Sequence, residues 1–210
     1  MKSFITALAV VASLTLAGTP PAVAECHWWQ FGRCNDQTEG LPDEVPRVGV
    51  VITIDASTNR AYLFRDGQLI AHSAAATGSG KEFVHGEDMW IFHTPRGHLK
   101  VKGKIKDPVW HKPDWAFLEA GEPVPPQNSP LRDVHGKLGR YALSLGDGIL
   151  IHGTDDADSI GRHVSHGCIR LPDSMMEKIF DAAKVGTDVY IFDSQQPTEA
   201  TPSSDLPQRR

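Results

Sequence analysis

From residue 47 onward the apolar runs of this chain are short, rich in β-branched residues and closed by turn signals, which confines most of it to sheets. Val48-Gly49-Val50-Val51-Ile52-Thr53-Ile54 ends in a polar turn over residues 55–59. Residues 60–64 and 68–72 flank Arg65-Asp66-Gly67, and Asp-Gly between two such runs is a strong hairpin signal. His98 to Lys102 alternates apolar and polar residues. A second pair of runs, 140–145 and 149–152, brackets Gly146-Asp147-Gly148, and residues 187–192 form a last strand. Helical spacing is convincing once, where Met175, Ile179 and Ala183 recur with Met176 and Phe180. Ser174 and Glu177 form a capping-box pattern there, and Gly186 stands where a C-cap belongs. The pattern predicts a mainly β domain, a sandwich or barrel-like pair of sheets, with one helix after Cys168.

The remaining segments read differently. Residues 25–46 are irregular, with Trp28, Trp29 and Phe31 placed to cover apolar surface. Residues 103–137 combine Pro108, Pro113, Pro123, Pro125, Pro126 and Pro130 with Trp110, Trp115 and Phe117. Long segments of that kind are usually functional loops or lids, and these aromatics could equally line a cleft or pack the segment onto the body. Residues 194–210, rich in proline, serine and threonine, predict a disordered tail.

Lys2, the apolar stretch 4–17 and Ala22-Val23-Ala24 read as a secretory signal cleaved after Ala24. The 14-residue stretch is short of the roughly 20 residues that cross a bilayer as a helix, so no membrane span is expected after cleavage. Export to a periplasmic or other extracytoplasmic, oxidising compartment makes the three cysteines informative. Cys26 and Cys34 are spaced for a local disulfide, which leaves Cys168 as the odd thiol. A formal charge of −5 without any basic block argues against a nucleic-acid partner.

That odd thiol lies in Ser165-His166-Gly167-Cys168-Ile169-Arg170, with His152-Gly153-Thr154 sixteen residues before it. A thiol becomes a useful nucleophile when it has a base, a site for the developing oxyanion and a fixed approach. Two imidazoles bracket it here, and glycine beside it lets successive amides turn toward one carbonyl oxygen. The chemistry indicated is cysteine acyl transfer.

The stretch from Ile151 through Leu171 resembles the L,D-transpeptidase catalytic domain, the YkuD family, of bacterial cell-wall enzymes. Thr77-Gly78, Thr94-Pro95-Arg96-Gly97, Pro108-Val109-Trp110 and Gly186-Thr187-Asp188-Val189 look like further landmarks in order, so residues 47–193 are covered. The resemblance implies a β-sandwich-like fold with no cofactor and no metal. It implies acyl transfer on peptidoglycan tetrapeptide stems, with loss of the terminal D-alanine. The thioester would pass to another stem, giving a 3→3 cross-link, or to an envelope lipoprotein. By position Cys168 is the nucleophile, His152 the base and Gly153 the carbonyl that orients it. The amides of His166, Gly167 and Cys168 would form the oxyanion hole, and Arg170, Ser165 and Trp110 would meet the substrate. Residues 78–93 are longer than the connection the resemblance leads one to expect.

Three other readings use the same residues. Zinc could be held by His152, His163, His166 and Cys168, although no paired metal-ligand spacing is present. Water could take the thioester, which would make the protein an L,D-carboxypeptidase or a hydrolase releasing wall-attached protein. A non-catalytic peptidoglycan-binding module would keep the fold without turnover.

Overall fold

A computed structural model of the chain describes residues 39–195. The expected signal segment, the Cys26–Cys34 pairing and the tail beyond Gln195 lie outside those residues. Five strands form one sheet in the order β3-β2-β1-β15-β7. They are β1 (Val50–Asp55), β2 (Arg60–Arg65), β3 (Gln68–Ala74), β7 (Gly97–Lys100) and β15 (Asp188–Phe192). A second sheet runs β14-β12-β11-β8, from Ile169–Arg170, Ile149–His152, Tyr141–Gly146 and Gly103–Lys106. Among the described residues, three small ribbons complete the β structure. They pair β4 (Thr77–Gly78) with β13 (His163–Ser165), β5 (Glu82–His85) with β6 (Asp88–Ile91), and β9 (Val109–His111) with β10 (Asp133–His135).

The hairpin read from Asp66-Gly67 is present, with Arg65 paired to Gln68. Both turn residues have positive φ, 51° and 77°, the combination a two-residue turn needs to follow the twist of its strands. The first apolar run is continuous because its sheet is covered on both faces. Ile52, Ile54, Ala61, Leu63, Val189 and Ile191 face the main core. Val51, Tyr62 and Phe64 face the other way, where Leu41 and Val45 cover them. Residues 41–45 are irregular, as expected, yet they are part of the packing.

Helix α2 (Asp173–Ala182) closes the core beneath the second sheet with Met175, Met176, Ile179 and Phe180 buried. Its ends differ from the sequence expectation. Pro172 stands at the N-cap with no side-chain cap, so Ser174 lies inside the first turn rather than capping it. The helix stops at Ala182, before Gly186, because Lys104 of β8 donates to the carbonyls of Phe180 and Ala183 at 2.5 and 2.7 Å. An ammonium at a helix C-terminus also meets the negative end of the dipole. Ser194, placed by sequence in the tail, donates to Asp55 Oδ2 at 2.5 Å and extends the ordered domain.

Residues 103–137 are folded rather than an open loop. They contribute β8 to the second sheet, the β9–β10 ribbon and a short helix, α1 (Asp114–Glu119). Arg132, 1% exposed, organises the segment. Its guanidinium donates to the carbonyls of Lys112, Pro125 and Pro126 and to Asp114 Oδ1. Prolines leave carbonyls without helix or ladder partners, and one planar five-donor group collects them. The extra length at 78–93 forms the β5–β6 hairpin, where Phe83 stacks on Trp90 at 5.7 Å and Val84, Met89 and Ile91 are exposed. Among the described residues no helix is long and apolar enough to cross a membrane.

Candidate active site

His152 ends β12, and Cys168 immediately precedes β14. These strands are parallel neighbours, with Ile151 opposite Ile169 and His152 opposite Arg170. Side chains alternate between faces along a strand, so the fully buried Ile151 and Ile169 point into the core. His152 and Arg170 share the opposite face, and Cys168, two residues before Arg170, falls on it as well. One strand spacing across and two residues along separates the two backbones by roughly 8 Å, a gap an imidazole and a thiol can span. The Arg170 charge pulls the pKa of both His152 and Cys168 down, as a minor effect in each.

His152 is 4% exposed, and its Nδ1 bonds to the Gly153 carbonyl at 2.5 Å. A carbonyl only accepts, so Nδ1 carries the proton and Nε2 keeps its lone pair. Burial pushes the imidazole pKa down to about 4, against a smaller upward pull from the Gly153 carbonyl. The ring is therefore neutral near pH 7, with its basic nitrogen directed away from Gly153. Space is tight on this side of the base: a Cβ at Gly153 would lie 2.5 Å from Asp173 Oδ1 and 3.1 Å from the Gly139 Cα.

Cys168 is half-buried, and its Sγ lies 3.6 Å from the Gly148 carbonyl. Burial raises the thiol pKa, opposed by the Leu150 amide and the Arg170 charge. The thiol is therefore protonated near pH 7. Both groups are neutral near pH 7, so a proton must leave the thiol as the sulfur attacks.

The turn between β13 and β14 is held from two sides. Ser165, 1% exposed, donates to the Cys168 carbonyl at 2.5 Å and accepts the Gly167 amide at 3.1 Å. Thr94 donates to the Gly167 carbonyl at 2.9 Å and accepts the Gly78 amide at 2.8 Å. Gly167 has φ 121°, which disfavours any side chain. Two expectations change here. Ser165 is a buried clamp inside the turn and is not exposed to a substrate. The Gly167 amide is consumed by Ser165, so the three-amide oxyanion hole reduces to His166 and Cys168. Those two amides donate to no protein acceptor among the described residues.

An aromatic row flanks the turn. Trp115 stacks on the His166 ring at 4.1 Å, Phe92 meets it edge-on at 4.3 Å, and Trp110 lies 6.2 Å from Trp115. Trp110 thus reaches the turn only through Trp115. His166 Nε2 is 2.9 Å from Glu119 Oε2. Arg170 has Asp156 at 3.7 Å. His163 bonds through Nδ1 to Thr77 Oγ1 at 3.0 Å, in the ribbon beneath the turn. Among the described residues no three metal-ligating side chains converge. From the sequence, Thr94, Glu119 and Gly148 carry no signal of a role in the site. Thr94 stood in a proline turn whose partner is 73 positions away, and Glu119 sits on a helix hidden among prolines.

A thiol, a neutral buried imidazole oriented by a backbone carbonyl, and two unpaired amides on one turn make the arrangement of a cysteine acyltransferase. A family model of the L,D-transpeptidase catalytic domain, YkuD, matches residues 49–191. The chain belongs to that family. It is 37% identical over 109 residues to the probable L,D-transpeptidase YbiS of Escherichia coli, covering 50% of this chain and 34% of that protein. It thus spans about a third of that relative's length. The putative L,D-transpeptidase YqjB of Bacillus subtilis is 28% identical over 150 residues, covering 70% of this chain and 74% of that one. The crystal structure of an L,D-transpeptidase from Xylanimonas cellulosilytica superposes with a TM-score of 0.51 at 20% identity, over 69% of this chain and 61% of that one. L,D-transpeptidase 3 from Mycobacterium tuberculosis, in complex with a faropenem-derived adduct, gives 0.50 at 21% identity, over 69% and 60%. At these identities the structural likeness is one of fold.

Proposed function

We propose that this chain is an exported, extracytoplasmic cysteine L,D-transpeptidase acting on peptidoglycan tetrapeptide stems. The observation that carries this reading is the His152 imidazole, neutral and bonded through Nδ1 to Gly153, on the same sheet face as Cys168. As the sulfur attacks the carbonyl of the L-centre, its proton passes to His152 Nε2 and a C–S bond forms. The oxyanion is received by the amides of His166 and Cys168. When it collapses, the C–N bond breaks and terminal D-alanine leaves with the proton held by His152. The thioester is then attacked by an amine, which gives its proton to His152, and the Cys168 thiol is regenerated. That amine is a neighbouring stem, giving a 3→3 cross-link, or a lysine of an envelope lipoprotein. Arg170 lies on the same face and suits a stem carboxylate.

The test is incubation with purified tetrapeptide muropeptides, read by mass spectrometry. A dimer lacking one D-alanine is the expected product. A tripeptide monomer alone would mean that water takes the thioester, as in an L,D-carboxypeptidase. Unchanged turnover in Cys168→Ala would overturn the mechanism.

A further inference from the structure

We infer that Glu119 is a positioning residue, which aims the oxyanion amides by holding the His166 ring. The inference rests on the proposed acyl transfer and adds a group outside the cysteine turn. Three contacts converge on the His166 side chain. Glu119 Oε2 lies 2.9 Å from Nε2, the Trp115 ring lies parallel to the imidazole within 18°, and Phe92 closes a third side at 73°. Trp115 and Glu119 are four residues apart on α1, so one helix face presents both the ring and the carboxylate. That helix has no side-chain cap and only six residues, too few to hold itself. Arg132 fixes it through Asp114 Oδ1 at 2.7 Å and the Lys112 carbonyl at 2.8 Å.

The consequence lies in the backbone. His166 supplies one of the two amides left for the oxyanion, and its neighbour Gly167 has no side chain to pin it. Thr94 and Ser165 hold the carbonyls of Gly167 and Cys168, further along the turn. The planar Ser165–His166 peptide that bears this amide is held on its carbonyl side by the Ser79 amide at 2.9 Å; on the His166 side it is the imidazole that anchors it, with Glu119 as the ring's polar contact. Oxyanion stabilisation depends on donor direction, and removing one such donor outright costs about 10²–10³ in rate. A donor that is present but anchored on one side only should lose about tenfold.

The experiment measures acylation of the full chain by a carbapenem, followed by intact mass, together with kcat and KM on tetrapeptide donor. Glu119→Ala should acylate about tenfold more slowly, with kcat lowered and KM nearly unchanged. Glu119→Gln, which keeps an acceptor oxygen, should recover most of the rate. His166→Ala should show a similar loss, and the double variant should be no slower than the worse single variant, because both act through one contact. Equal acylation rates in wild type and Glu119→Ala would overturn the inference. So would a loss seen in KM alone, which would make Glu119 a wall of the substrate site. A wild-type protein that acquires no adduct would instead count against the acyl-transfer reading itself. Thermal melts of each variant separate a positioning effect from unfolding, since Glu119 is 46% exposed and its removal should leave Tm within a few degrees.

Discussion

Thr94 Oγ1 bonds to the Gly167 carbonyl across 73 positions of sequence while accepting the Gly78 amide. One hydroxyl therefore joins β4, the segment before β7 and the cysteine turn. A Cβ on Gly78 would stand 2.5 Å from the Thr94 amide, so the approach requires glycine. Thr94→Val keeps the shape and removes both bonds. Leaving a buried amide and carbonyl unpaired should cost about 1–3 kcal/mol. Carbapenem acylation should slow as the turn loosens. Thr94→Ser should restore both stability and rate, and a Val variant with wild-type melting and acylation would contradict the role.

The backbone beside His152 brings two glycines, Gly139 and Gly153, into contact, and they should not tolerate change equally. Gly139 has φ 67°, and a Cβ there would lie 2.7 Å from the Gly153 Cα, against backbone that cannot yield. At Gly153 the shortest clash, 2.5 Å, is with Asp173 Oδ1, the far end of a side chain that can swing away. Gly139→Ala should therefore be the more destabilising, by about 2 kcal/mol or more in denaturant melts. Gly153→Ala should melt closer to wild type while losing turnover, because the Gly153 carbonyl that orients His152 shifts. The reverse ranking would show that these contacts do not set the cost.

The strands and the neighbouring placement of His152 and Cys168 were legible in the sequence because their signals are local. Asp66-Gly67 fixes its hairpin within two residues, and the spacing of His152 and Cys168 reflects two adjacent parallel strands. What escaped was set by distant partners. The C-terminus of α2 is decided by Lys104, 76 and 79 positions from the carbonyls it meets. The segment 103–137 reads as a loop because six prolines mask a buried arginine that orders it. Ser165 reads as a polar neighbour of the nucleophile, and only the turn's shape shows its hydroxyl facing inward to Cys168 and Gly167.

Cys168 should be a slow thiol toward simple alkylating agents and a fast one toward a bound acyl donor. Burial raises its pKa, so little thiolate exists near neutrality. Iodoacetamide labelling of Cys168, measured by peptide mass spectrometry against a Cys168→Ser control, should be slower at pH 7 than for a free cysteine. It should keep rising with pH beyond the ordinary thiol range. Labelling that saturates below pH 7 would mean a preformed thiolate–imidazolium pair.

Arg132 should matter more to folding than any exposed charge in the domain. Replacing it by Met removes donors to three carbonyls and to Asp114 at a site 1% exposed. Breaking a buried, paired charge network of this kind costs about 3–5 kcal/mol. The loss should fall first on residues 112–132. Hydrogen exchange of Arg132→Met should show those amides unprotected while the protection of β1 and β15 persists. Uniform loss across the domain would mean that the segment folds in one step with the sheets.

His152 ties stability to pH in a definite direction. Its folded pKa, about 4, lies below the unfolded value near 6.5. Between the two the unfolded chain binds more protons, so stability falls as pH drops from 6.5 toward 4. Above 6.5 the contribution is complete. The full difference amounts to roughly 3 kcal/mol, an order-of-magnitude figure. Urea melts at pH 7.5 and pH 4.5 should differ by part of that amount in wild type. His152→Gln, uncharged throughout, should show a smaller difference. The same low pKa keeps Nε2 free as a base, so the acid limb of the acylation rate should fall well below pH 6. A limb near the ordinary histidine value would show that His152 is solvated rather than buried.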